Sequence, residues 1–167
     1  KDTRALIDTA KKFKTDLSIV NSVVTSNEKR KVLLTKKLEK ILKNKLKNKV
    51  VTFLGVTFKP NTDDMREASS IPMIKYLNKK NAKIRYYDPT GEKNEFKKLK
   101  NVICCKNIAT ACLKSDLIVL HTEWNEFRLL SFKKLIRKEK FKIFDMRNMY
   151  SPIKMRNQKI DYFSIGR

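Results

Sequence analysis

Glycine is scarce in this chain, three in 167 residues, and the scarcity excludes a specific device. A turn that cradles a dinucleotide pyrophosphate needs three close glycines after a strand, and only Gly55 follows the first strand-like run. Cysteine is thin too. Cys104, Cys105 and Cys112 are an odd number in one region, without the paired spacing of a zinc site or a secreted disulfide framework. Reduced packing thiols are expected. No apolar run approaches the ~20 residues that cross a bilayer, and the opening KDTRALID lacks a signal peptide's apolar core. The expectation is a soluble cytoplasmic protein with no membrane partner. Length and a 41% hydrophobic content suit one domain with a helical extension rather than two full domains.

Acidic residues are also few, 17 against 40 basic, which leaves a net charge of +23. Such a balance invites a nucleic-acid reading through phosphate neutralisation. Two features weigh against it. The basic set is 31 Lys and 9 Arg, whereas bidentate recognition of phosphates and bases favours Arg. The lysines are spread along the whole chain rather than gathered in one arm, and a drift towards A and T in the codons accounts for them more simply. A basic nucleic-acid-binding module is the alternative from a different functional class. A general positive field also attracts a nucleotide sugar.

What is present is a change of period. Leu6, Ile7, Ala10 and Phe13 have helical spacing, and Thr15 and Asp16 read as a break. Residues 17–46 follow as a long helix with Val20, Val24, Leu34, Leu38 and Ile41 on one stripe. Asn27 and Lys31 interrupt that stripe, so the face is expected to meet something polar midway. Strand-like runs at 50–54, 83–87, 102–104, 117–121, 142–144 and 162–165 then alternate with helical patterns at 71–78, 93–99, 108–113 and 127–138. Alternation of this kind implies an α/β fold, a doubly wound parallel sheet behind a helical preface.

In such a sheet the loop after the first strand is the favoured place for chemistry. Here that loop is GVTFKPNTDDMREASS, with Lys59, Asp63, Asp64, Arg66 and Glu67. Lys and Arg each engage a phosphate oxygen, and the acids orient them. A self-neutralising surface cluster fits the composition as well. The adjacent aspartates are a weak signal for Mg2+. Asp88 ends the second strand where a ribose-binding acid would sit, but before Pro89 it reads as strand termination. His121 ends a strand beside the expected cleft, where a lone His could act as a base, but it reads rather as a packing or capping residue, and Trp124 as an anchor for the loop that follows.

The string FKPNTDDMREA closely resembles the signature of the UDP-glucose 6-dehydrogenase family. KDTRALI resembles the tail of that family's catalytic Cys-x-Pro-Lys-Asp-Thr segment, TEWNEF its Thr-Glu-Trp motif, and FDMRN with YFSIGR its C-terminus. The resemblance covers the whole chain and implies a helical joining and dimerisation segment, 1–46, before a Rossmann-like UDP-sugar-binding domain, 47–167. It implies oxidation of UDP-glucose to UDP-glucuronate with NAD, through a Cys-bound thioester that is hydrolysed. UDP-N-acetylmannosamine or GDP-mannose is the alternative sugar nucleotide within the family.

Carried over motif by motif, Phe58, Lys59 and Arg147 match UDP-sugar contacts, and Lys1 and Arg66 match NAD contacts. Asp2 matches the acid that assists the thiol and the hydrolytic water. No metal is implied. The nucleophilic Cys should lie four residues before Asp2 and the NAD-binding domain further upstream, so this stretch alone is expected to be inactive. A homodimer through the long helix is the implied assembly.

Overall fold

The computed structural model describes residues 2–166. The chain runs α1 (Asp2–Lys12), α2 (Ser18–Ile41), β1 (Val50–Leu54), α3 (Ser70–Lys79), β2 (Lys83–Tyr87), β3 (Val102–Cys104), α4 (Ile108–Cys112), β4 (Leu117–Leu120), α5 (Phe132–Ile136), β5 (Lys142–Asp145), α6 (Pro152–Asn157) and β6 (Asp161–Ser164). The six strands form one sheet in the order β3-β2-β1-β4-β5-β6, with every pairing parallel. This is the doubly wound α/β architecture expected, and β1 and β4 flank the point where the order reverses. Ligands of open α/β sheets settle at that reversal, beyond the carboxyl ends of the strands.

Both faces of the sheet are covered. One core joins Val51, Phe53, Ile84, Tyr86, Val119 and Phe144 to α3 and to Leu38, Ile41, Leu42 and Leu46. The other joins Leu54, Ile118, Leu120 and Ile143 to α4, α5 and α6. Because a parallel strand is buried on both sides, β4 reads LIVL without alternation and all four residues are buried. The end of α2 is therefore part of the sheet's own core, while Ile19 and Val23 nearer its start are exposed.

Three helices differ from expectation. The long helix expected over 17–46 ends at Ile41, and Lys43 and Asn44 turn the chain with φ of +53° and +58°. Residues 93–99 form successive turns, not a helix, with Phe96 N bonded to Lys93 O and Leu99 N to Phe96 O. The apolar spacing of Phe96 and Leu99 imitates a helix. In fact Phe96 is buried edge-on against Tyr86, centroids 5.3 Å apart, and Lys93 is drawn inward to Thr90 and Asp88. Residues 127–138 split into a 3-10 turn at Asn125–Phe127 and the short α5, which ends where Arg137 takes φ +49°. α6 went unread in the sequence, although Ser151 caps it and Pro152 stands at its first turn. The three cysteines are free thiols, Cys105 and Cys112 buried.

Candidate functional site

Three loops leave the carboxyl ends of β1, β4 and β5 and meet under α1 and α2. They enclose a cleft of ≈ 500 Å³ lined by Phe58, Glu67 and Ser69 from the first loop, His121 from the second and Arg147 from the third. Thr3 and Arg4 of α1, and Asn27, Arg30 and Lys31 of α2, close the other side.

The first loop is held from beneath by Asp88. Its Oδ2 accepts from Val56 N at 2.8 Å and Thr57 N at 3.3 Å, and its Oδ1 from Thr90 N at 3.1 Å. Lys93 Nζ lies 3.8 Å from Oδ1, and both side chains are almost wholly buried. Asp88 is thus a bracket tying β2 to the loop after β1, a role beyond ending its strand. It also leaves no ribose acceptor. Gly55, at φ +73°, faces Thr122 so closely that a Cβ would stand 2.5 Å from Thr122 Cβ. Thr122 occupies the place where a pyrophosphate would approach the backbone, so the residues of this β1 turn do not fit NAD.

Phe58 projects its ring into the cleft at 49% exposure, while its main chain is pinned by Phe58 N to Asp64 O at 2.9 Å. Arg147 reaches the same place from β5. Its Nε donates to His121 O at 2.7 Å and its Nη2 to Phe58 O at 3.2 Å, with Glu123 Oε2 2.9 Å from Nε. Arg147 thereby ties all three loops together. Lys59 is exposed and does not line the cleft. Arg66 turns the other way, with Nε and Nη2 at 2.8 and 2.7 Å from the two oxygens of Asp64, beside a separate recess that includes Thr90 and Lys93. Asp2 opens α1, exposed, next to the cleft-lining Thr3 and Arg4. Lys1 lies outside the described residues. Among the described residues no group of three or more His, Cys, Asp or Glu side chains is placed to hold a metal.

The polar interruption of α2 has its partner here. Arg4, Glu28, Lys31 and Glu67 form a closed ring of opposite charges: Arg4–Glu28 2.7 Å, Glu28–Lys31 3.0 Å, Lys31–Glu67 2.7 Å and Glu67–Arg4 3.1 Å. Lys31 loses hydration, yet its bonds to Glu67 and Glu28 outweigh that and raise its pKa; the bond from Lys31 lowers that of Glu67. Glu67 adopts φ +63°, so the ring secures a strained backbone position. Sequence reading found the break in the stripe but not its partners, because Glu67 lies 36 residues from Lys31.

His121 is buried behind this floor. Ser69 Oγ lies 2.9 Å from its Nε2 and Thr122 Oγ1 3.0 Å from its Nδ1. Burial, then the nearby Arg147 charge, hold its pKa down to about 3. The unfolded chain takes up that proton near pH 6.5, where the folded protein refuses it, so stability falls as pH drops below 6.5. The loss between pH 6.5 and 5.0 is expected to be about 1.5 kcal/mol. The Glu67 and Asp116 pKa values are lowered from 4.5 and 3.8, so their losses come at lower pH. Urea unfolding of the wild type and His121→Asn at both pH values checks this: the variant should show a flatter slope, and equal slopes would refute it.

Residues 52–152 match the family model described as "UDP-glucose/GDP-mannose dehydrogenase family, UDP binding domain". The whole chain is 35% identical over 168 residues to a UDP-glucose 6-dehydrogenase of Rhizobium meliloti, of which it covers 38%. It is 33% identical over 171 residues to one of Bacillus subtilis, again covering 38% of that protein. The chain thus spans little more than a third of the length of these relatives. Among solved structures, a UDP-glucose dehydrogenase from Pyrobaculum islandicum superposes with a TM-score of 0.75 over 97% of this chain and 35% of its own, at 24% identity, a likeness of fold.

Proposed function

The chain belongs to the UDP-glucose/GDP-mannose dehydrogenase family, and from that premise we propose that it is the sugar-nucleotide-binding part of an NAD-dependent UDP-glucose 6-dehydrogenase. The observation that carries the reading is the cleft at the strand-order reversal. There an exposed aromatic ring, Phe58, stands beside the guanidinium of Arg147, and Arg30 faces them without an acidic partner among the described residues. The ring offers an apolar surface to the ligand, while the two cations attract the diphosphate. Lys59, exposed on the same loop but outside the cleft lining, adds a third charge only by swinging in towards the bound ligand.

NAD does not belong on this sheet, whose β1 turn is filled. It is bound by a companion domain that faces the same cleft, where Asp2 assists a nucleophile carried by the preceding segment; Lys1 and Arg66 keep the NAD-contact roles their motifs imply, Arg66 from the separate recess beside Thr90 and Lys93. The Asp64 carboxylate fixes the Arg66 guanidinium at that recess. Residues 1–46 serve as the helical joint and 47–167 as the sugar-nucleotide half. A homodimer through the exposed start of α2, and a cytoplasmic location, complete the reading; Ile19 at 79% and Val23 at 50% exposure supply the apolar surface for that contact.

Calorimetric titration tests it. UDP-glucose should bind the protein, and Arg147→Ala should weaken binding by at least ~10-fold, about 1.4 kcal/mol. Indifference to UDP-glucose, or tighter binding of duplex DNA or RNA with a steep salt dependence, would replace this reading with the nucleic-acid one.

A further inference from the structure

Four groups on the floor of the cleft form a chain whose hydrogen-bond direction is determined. Thr57 O can only accept. Thr122 Oγ1 lies 2.7 Å from it and so gives its single proton there. Thr122 Oγ1 must then accept at its other contact, 3.0 Å away, which makes His121 Nδ1 the donor. A neutral imidazole carries one N–H, and burial of His121 keeps the ring neutral. Nε2 is therefore an acceptor, and the hydroxyl 2.9 Å from it, Ser69 Oγ, must donate. Ser69 has committed its proton inward and turns only lone pairs to the cleft it lines.

The opposite order would leave the Thr122 hydroxyl and the Thr57 carbonyl oxygen 2.7 Å apart with no proton between them. Both residues are buried, so no bulk water offsets that repulsion. The consequence is unusual for a hydroxyl beside Arg147, Arg30, Arg4 and Lys31: it repels anionic oxygens and attracts donors.

We propose that Ser69 is a specificity-determining residue, a hydroxyl fixed by His121 and Thr122 as an acceptor, which recognises a hydroxyl or N–H donor of the sugar nucleotide. The cations of the cleft read the diphosphate, and Ser69 reads the neutral part attached to it. His121 is a positioning residue that acts through Ser69. The proposal rests on the sugar-nucleotide reading above and adds a residue to it.

Two measurements test it on the same protein. His121 is the single histidine of the chain, so a long-range 1H–15N NMR correlation yields one ring, free of overlap. At pH 7 it should report the tautomer protonated at Nδ1; protonation at Nε2, or an imidazolium, overturns the proposal. Titration with UDP-glucose then compares the wild type with Ser69→Ala. The variant should bind ~10-fold more weakly while the dependence of affinity on salt stays that of the wild type. Affinity unchanged within about twofold, or a loss that takes the salt dependence with it, overturns the proposal. Absence of UDP-glucose binding by the wild type overturns the wider reading, and this proposal with it.

Discussion

Replacing Asp88 with alanine will lower the free energy of unfolding by about 3–5 kcal/mol, because it removes one partner of a buried ion pair and leaves the other charged. Lys93 would stay almost wholly buried with only the carbonyl and hydroxyl of Thr90 as partners. Val56 N and Thr57 N would lose their acceptor at the root of the cleft loop. Asp88→Asn keeps the shape and one acceptor oxygen, so it should cost less. Equilibrium urea unfolding reads both variants, and a loss below about 1 kcal/mol for Asp88→Ala would show that the loop finds other partners. Weakened UDP-glucose binding should accompany the stability loss, since Phe58 is carried by the same loop.

A second large effect is expected at Gly55. Its φ of +73° lies in the left-handed region, where a Cβ costs roughly 1–2 kcal/mol by itself. Gly55→Ala would also place that Cβ 2.5 Å from Thr122 Cβ and 3.0 Å from Thr122 Oγ1. The ends of β1 and β4 must part to admit it, an overpacking cost of about 1–3 kcal/mol. The total, roughly 3 kcal/mol, should appear as a shifted urea midpoint. The same variant moves the threonine that orients His121, so the histidine ring signals should shift as well. A midpoint within error of the wild type would mean that the strands tolerate the separation.

How much of this was legible beforehand depends on the range of the cause. β1, β2 and β3 begin and end where residue patterning places them, because short β-branched and aromatic runs act locally, with Gly55 closing β1 and Asp88-Pro89 closing β2. The helix expected at 93–99 failed because two long-range attachments, Phe96 on Tyr86 and Lys93 on Thr90 and Asp88, outweigh a short apolar repeat. At the site, Phe58 and Arg147 were legible from motifs and do share the cleft. The ring of Arg4, Glu28, Lys31 and Glu67 was only half legible. Asn27 and Lys31 announced a polar partner for α2, but its identity depends on the β1 loop folding back under the helices. The role of Asp88 was hidden for a similar reason: Asp before Pro explains itself locally, which conceals the five backbone and hydroxyl groups it collects from two loops.

The seating of α2 has a mechanical result. At 24 residues it is about 36 Å long, seated through Leu38 and Ile41 at one end, pinned through Glu28 and Lys31 in the middle and exposed at Ile19 near the other end. Asn27 to Leu34, which roof the cleft, sit at mid-span. The roof is thus held over the cleft by ion pairs, whereas the root of the helix is held by apolar packing. Salt screens the first kind of attachment far more than the second, so ionic strength acts on the height of the roof before it acts on the seat of the helix.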